Sequence, residues 1–352
     1  MRRHKLRSLV GMLALAVLVG GLAGYWARWL TGPPVQIVVN PTPSATPQPS
    51  PAVTAMPYPL TIPAQRSRRY LGGELHLDED LGDRGGYRLS RVSYPSDGYR
   101  VYGLMATPTT LKPTFGYPVV IVVHGYHVPE TYQTTADYLP EMQALATHGY
   151  VAIKPDLRGH GESWGVAHGA YYSPDYVADV LNLAASLPSD HLLNSRSVGL
   201  FGHSMGGYVA MMAATVQPKR FKAAVIVNGA VGDVDDMYYH WQAPSEIRTV
   251  SLAERQRVVK LFGEPKQNPD FWHSLSPLSY AASISTPVQI HQGLADTTVP
   301  SRFALQMRDA FQVAHRTADY CSYPGVGHVF TGAARAQLLE RSLPFYDRYV
   351  RL

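Results

Sequence analysis

The sequence predicts an α/β chain, a mostly parallel sheet flanked by helices. Three observations carry this. Apolar strand-like runs alternate with helix-like patterns from residue 118 to the C-terminus. Residues 118–125 (PVVIVVHG) form a β-branched run without polar alternation, as in a parallel strand buried on both faces. In residues 198–210 a short apolar run drives into Gly202-His203-Ser204-Met205-Gly206 and then into small and apolar residues at helical spacing. That is strand, sharp turn, helix, with a serine at the apex.

Taken in order, residues 1–7 are a basic arm, expected to stay cytoplasmic, with Arg2, Arg3, Lys5 and Arg7. Residues 8–30 are expected to be a transmembrane anchor, since about twenty apolar residues span a bilayer core. A signal peptide, cleaved to release a secreted protein, is the competing reading. Both put the rest of the chain outside the cytoplasm, the first as a single-pass protein of the cell membrane. Residues 31–59 read as a Pro/Thr/Ser-rich linker, too polar to fold and kept extended by its prolines. Residues 60–86 read as an irregular lead-in. The folded domain is expected over 87–352.

Within it, residues 87–94 and 99–106 alternate around the turn 95–98, giving an antiparallel hairpin at the sheet edge. After the strand at 118–125 come helix 131–148, strand 150–154, helix 174–187, the strand before Ser204 and strand 223–228. Strands 287–291 and 319–323 enclose helix 301–313, and an amphipathic stretch over 333–350 closes the chain. Residues 232–284 break the rhythm and hold Tyr238, Tyr239, Trp241 and Trp272. They are expected to form a cap over the carboxyl ends of the strands, where open α/β sheets bind ligands, with these aromatic residues shaping the pocket.

The net charge of +5 comes from the N-terminus. Setting aside Arg2, Arg3, Lys5, Arg7 and Arg28 leaves 26 basic against 26 acidic residues, so nothing predicts a nucleic-acid-binding face. Cys321 is the single cysteine, which rules out an intrachain disulfide or a cysteine cluster. No histidine pair stands at helical spacing with an acid, and neither metal nor cofactor is expected.

A serine hydroxyl needs a base, and the base needs a group that fixes its tautomer and stabilises its cation. Asp296 lies just past strand 287–291 and His328 just past strand 319–323. With Ser204 they fall on one rim of the sheet in the order Ser, Asp, His. The oxyanion donors are expected to be the Met205 and Tyr126 amides, with the Tyr132 hydroxyl as a weaker choice. His124 and His203 are expected to pack or orient. Asp156, Arg158, His160 and Glu162 are expected to tie down a tight loop rather than to react.

From residue 87 onward the chain resembles an α/β-hydrolase, and within that superfamily the catalytic domain of prolyl oligopeptidase-type serine peptidases. The resemblance is carried by Ser96-Asp97-Gly98, the Tyr117-Pro118 start of the run to His124-Gly125, and Gly202-His203-Ser204-Met205-Gly206-Gly207. Residues 276–280 (SPLSY), 293–300 (GLADTTVP) and Gly327-His328 complete it. It implies the triad Ser204, Asp296 and His328. Large members of that family place a β-propeller ahead of this domain, whereas some thirty-five residues separate the proline-rich run ending at Pro51 from the first strand here. The expected activity is hydrolysis of a small acyl ester or a short peptide through an acyl-enzyme. A non-catalytic, membrane-tethered ligand-binding module and an acyltransferase are the alternatives.

Overall fold

The computed structural model describes residues 58–351. The expected arm, the anchor or signal segment at 8–30 and nearly all of the linker lie outside the described residues. Among the described residues no helix is long and apolar enough to cross a membrane.

Nine strands form one sheet: β1 His76–Asp83, β2 Tyr87–Ser96, β3 Tyr99–Pro108, β4 Tyr117–Val123, β5 Val151–Pro155, β6 Leu193–His203, β7 Ala223–Val227, β8 Val288–Gly293 and β9 Ala318–Tyr323. Their order is β1-β2-β3-β5-β4-β6-β7-β8-β9. The first three strands and the β3/β5 pair are antiparallel. Every other neighbouring pair is parallel. This is the α/β-hydrolase arrangement, and the 87–108 hairpin forms as expected.

Among the described residues eight α-helices accompany the sheet: α1 Ile62–Ser67, α2 Leu139–Thr147, α3 Asp175–Ser186, α4 Met205–Val216, α5 Ser245–Phe262, α6 Pro269–His273, α7 Ser301–Val313 and α8 Gly332–Tyr349. Strand β4 explains why they lie on both faces. Val119, Ile121 and Val123 join the core beneath α3, α4 and α7. Val120 and Val122 join the core beneath α2 and α8. A period of two with both sets apolar leaves neither face tolerable in water.

Three expectations change. Residues 60–86 are not irregular: Thr61 caps α1 by accepting from the Ala64 amide, and β1 adds a strand to the sheet edge. Strand β1 is exposed along most of its length, so it carries no apolar alternation. Ladder hydrogen bonds and charge pairs hold it instead, among them Asp80 with Arg88, Glu79 with Arg91 and Asp78 with Arg100. The helix expected over 131–148 begins only at Leu139, because Tyr138 adopts a left-handed conformation (φ 64°) and Pro140 sits in the first turn. The last residue or two of the expected linker are packed: Tyr58 meets Phe262 edge-on, ring centroids 4.8 Å apart.

Residues 156–163 form a tied-down loop. Arg158 is buried and bonds Asp179 (2.6 Å), Asp97 (2.9 Å) and Asp175 (3.3 Å). Removing one partner of so buried a pair typically costs about 3–5 kcal/mol, because the other charge is stranded. Glu162 instead faces Arg91 at 2.8 Å, and His160 is buried against His124.

His291 is fully buried, bonded to the Tyr323 hydroxyl (2.7 Å) and Gln289 Oε1 (2.8 Å), and burial brings its pKa down to about 3. The unfolded chain takes up this proton near pH 6.5, the folded one only near 3. The stability is therefore complete above about pH 6.5 and lost as pH falls. Denaturant titrations should show this residue's contribution dropping on the order of 2 kcal/mol between about pH 6.5 and 4.5. His291→Gln should flatten that part of the slope; an unchanged slope would remove His291 as its cause.

Candidate active site

The sharp turn forms at the junction of β6 and α4. Ser204 holds φ 55° and ψ −120°, a conformation that L-residues rarely adopt. The flanking glycines are needed for contact. A Cβ on Gly202 would lie 2.4 Å from the Gly206 carbonyl oxygen, and one on Gly206 only 2.1 Å from that of Val123. Strand and helix therefore close on each other, and the serine side chain stands clear at the carboxyl end of the sheet.

Ser204 Oγ lies 2.9 Å from His328 Nε2, and His328 Nδ1 lies 2.8 Å from Asp296 Oδ2. The fully buried Asp296 carboxylate also accepts the Thr298 and Val299 amides through Oδ1, at 2.8 and 3.0 Å. Acceptor oxygens on that side require a proton on Nδ1, so Nε2 offers its lone pair to the serine. The three residues expected on one rim are thus joined by hydrogen bonds.

Two further residues hold this arrangement, and sequence reasoning gave them no such role. Asn228, just past β7 with φ 44°, donates to the carbonyls of Gly327 (3.0 Å) and His328 (2.8 Å) and accepts the Gly293 amide (2.8 Å). The Asn228-Gly229 pair after a strand was the available signal, since such dipeptides mark tight turns. Tyr138 is the other. Its hydroxyl accepts the Gly125 amide (2.8 Å) and meets His203 Nδ1 (2.8 Å), while His203 Nε2 reaches the His328 carbonyl (2.9 Å). A carbonyl only accepts, so His203 carries its proton on Nε2 and the tyrosine donates to Nδ1. Burial, reinforced by nearby His328, holds the His203 pKa down to about 4. No sequence signal pointed to Tyr138.

The Gly125 amide is thereby occupied. The Tyr126 amide follows it, in the loop after β4, and Met205 supplies the first amide of α4, which has no carbonyl one turn earlier in its helix. Tyr132 lies elsewhere. Its hydroxyl donates to Asp156 (2.6 Å) and accepts from the buried Lys154 (2.6 Å), behind the loop and outside the Ser204 cavity.

That cavity measures about 470 Å³ and is lined by Tyr126, His203, Ser204 and His328, with Asp137, Glu141 and Arg335 among its polar walls. Glu141 and Arg335 pair at 3.0 Å, and burial raises the Glu141 pKa. The cap contributes Pro244, Glu246 and Ile247. It does not contribute Tyr238, Tyr239, Trp241 or Trp272, the aromatic residues expected there. Tyr238 packs edge-on against Trp272 (5.2 Å), Tyr239 bonds Glu264 (3.3 Å), and the Trp241 indole donates to the Thr298 carbonyl (2.9 Å). Tyr238 and Trp272 build the cap's own core, while Trp241 packs against Phe303 and Val299 beside it.

Residues 136–352 match the family model described as the prolyl oligopeptidase family. Among curated relatives, an uncharacterized peptidase of Bacillus subtilis is 26% identical over 245 residues, covering 66% of this chain and 34% of its own length. The match spans about a third of that relative. Among solved structures, an acetyl xylan esterase from Paenibacillus sp. R4 aligns with a TM-score of 0.61 at 18% identity, covering 82% of this chain and 92% of its own. An acylaminoacyl peptidase of Pyrococcus horikoshii gives 0.61 at 19% identity, covering 76% and 42%. Identities this low establish the shared fold. The family match, set on the α/β-hydrolase sheet, places the chain in the prolyl oligopeptidase family as a serine hydrolase.

Proposed function

We propose that this chain cleaves a small acyl ester or a short peptide through an acyl-enzyme on Ser204. The observation that carries the reading is the unbroken chain of hydrogen bonds Ser204–His328–Asp296 opening on the cavity. His328 takes the serine proton as Oγ attacks the carbonyl carbon, and Asp296 stabilises the resulting imidazolium. The Tyr126 and Met205 amides receive the oxyanion; losing one such donor typically costs about 3–4 kcal/mol. His328 then protonates the leaving alcohol or amine, and water repeats the sequence to release the acid. Relatives of both kinds, a peptidase by sequence and an esterase by fold, keep the two substrate classes together in this proposal.

A fluorophosphonate probe should label the folded chain at Ser204. Ser204→Ala should abolish labelling and lower turnover by at least about 10⁴-fold. A folded wild type that resists the probe would overturn the reading. Rates on p-nitrophenyl acyl esters against aminoacyl-nitroanilides then assign the substrate class.

In this reading Tyr138 and His203 are positioning residues that tie the loop carrying Tyr126 to the loop carrying His328. Tyr138→Phe should lower kcat on the order of tenfold, about 1.4 kcal/mol, and leave KM within about twofold. His203→Gln, which keeps one donor and one acceptor, should recover most of the activity lost in His203→Leu. Equal losses in Gln and Leu would mean simple packing.

We further propose that the domain works outside the cytoplasm, tethered through residues 8–30. The support is the basic cluster at 2–7 before an apolar stretch, residues 8–27, without a formal charge. Protease added to intact producing cells should digest the domain and spare an N-terminal tag. Recovery of the whole chain in the soluble cytoplasmic fraction would rule the tether out.

A further inference from the structure

Behind the first turns of α5 lies a second cavity of about 410 Å³, within the range that holds small ligands. It shares only Ile247 with the walls of the Ser204 cavity. We propose that it is a binding site for a carboxylate carried on an aromatic or aliphatic body.

Its charge points this way first. Arg248 and Arg255 are the only charged residues lining it, and no carboxylate does. Neither arginine has an acidic partner among the described residues. Of the cap's own carboxylates, Glu254 pairs with Arg257 at 3.0 Å and Asp236 with Arg302 at 2.7 Å, and none pairs with Arg248 or Arg255. Arg255 is nonetheless held in place. Its guanidinium lies 4.0 Å from the centre of the Tyr238 ring, and Nη2 approaches the Tyr238 carbonyl at 3.5 Å. A half-buried guanidinium fixed by an aromatic face, with no carboxylate on its fork, suits one.

An orphaned hydroxyl is the second observation. Tyr171 Oη is buried and has no hydrogen-bond partner. A phenol in that condition is costly, and its ring stands in the wall between this cavity and a smaller one of about 50 Å³. The ring is fixed between Tyr208 (5.0 Å) and Trp241 (5.6 Å), so the hydroxyl cannot swing to water without breaking that packing. Together with Met237 and Trp241, this ring gives the ligand body an apolar wall. The Ser204 cavity, by contrast, carries Asp137, Glu141 and Glu246 against Arg335 alone. An anion therefore has reason to choose the cap.

The site does not depend on the proposed chemistry, and its test keeps the two apart. Calorimetric titration of the full-length Ser204→Ala chain with 4-phenylbutyrate should show saturable binding, with 4-phenylbutyramide at least tenfold weaker. Arg255→Gln should weaken the acid about tenfold or more and leave the amide unchanged; if that variant fails to fold, the more exposed Arg248→Gln serves. Wild type with Ser204 blocked by fluorophosphonate should still bind the acid. Equal affinity for acid and amide, indifference to both arginine variants, no binding, or loss of binding on blocking Ser204 would each overturn the proposal.

Discussion

The site depends on one strained residue. Ser204 sits where few non-glycine residues do, at a cost of order 1–3 kcal/mol, and it stays there because its backbone is claimed on both sides. Its amide donates to the Val227 carbonyl (3.0 Å), and its own carbonyl accepts from Gly207 (3.0 Å) and Ala230 (3.1 Å). The strand on one flank and the residues following β7 on the other thus fix the turn. The close approach of β6 to α4, open only to glycine, does the rest. A hydroxyl presented this way loses little entropy when it reacts, since its geometry is set before substrate arrives.

His328 is placed by the same logic at a distance. The His328 carbonyl accepts from both His203 and Asn228, so a loop after β9 takes its position from β6 and from the turn after β7. Several imidazoles crowd this end of the sheet, and the structure separates their roles by solvation. His124 and His160 are buried with one ring nitrogen each unpartnered, and burial depresses both. His127 faces Asp137 at 3.5 Å but makes no bond to the serine. His328 alone combines a carboxylate on one nitrogen with the hydroxyl on the other, which is what bearing a transient positive charge requires.

What could be read from the sequence follows from where the information sits. The serine turn is legible because steric exclusion writes glycines at 202, 206 and 207. Asp296 and His328 are legible because each falls just past a strand, in residues 293–300 (GLADTTVP) and in Gly327-His328, in the chain order Ser, Asp, His. Tyr138 is not, since its role depends on a left-handed backbone at a helix start and on two partners, Gly125 and His203, that lie 13 and 65 residues away. Strand β1 escapes for the opposite reason: its partners are water and arginines, and hydropathy carries no trace of it. In the cap, aromatic content correctly marks a packed insertion and misleads about which side is packed. Large rings gather with Tyr58 and Leu60 into a small core, and the cavity wall falls to Pro244, Glu246 and Ile247.

Helix α5 is consequently a partition. Its first turn presents Glu246 and Ile247 toward the serine, while Ile247, Arg248, Ser251 and Arg255 line the cavity behind it. The helical period of 3.6 residues allows this, because positions 248, 251 and 255 recur along one side and 246 falls away from them. The first three turns of the helix therefore set the sign of charge on both of its sides, acidic (Glu246) toward Ser204 and basic (Arg248, Arg255) toward the cap interior. Selectivity and chemistry are in this sense built on separate elements, the first on an insertion whose own core is small, the second on the sheet.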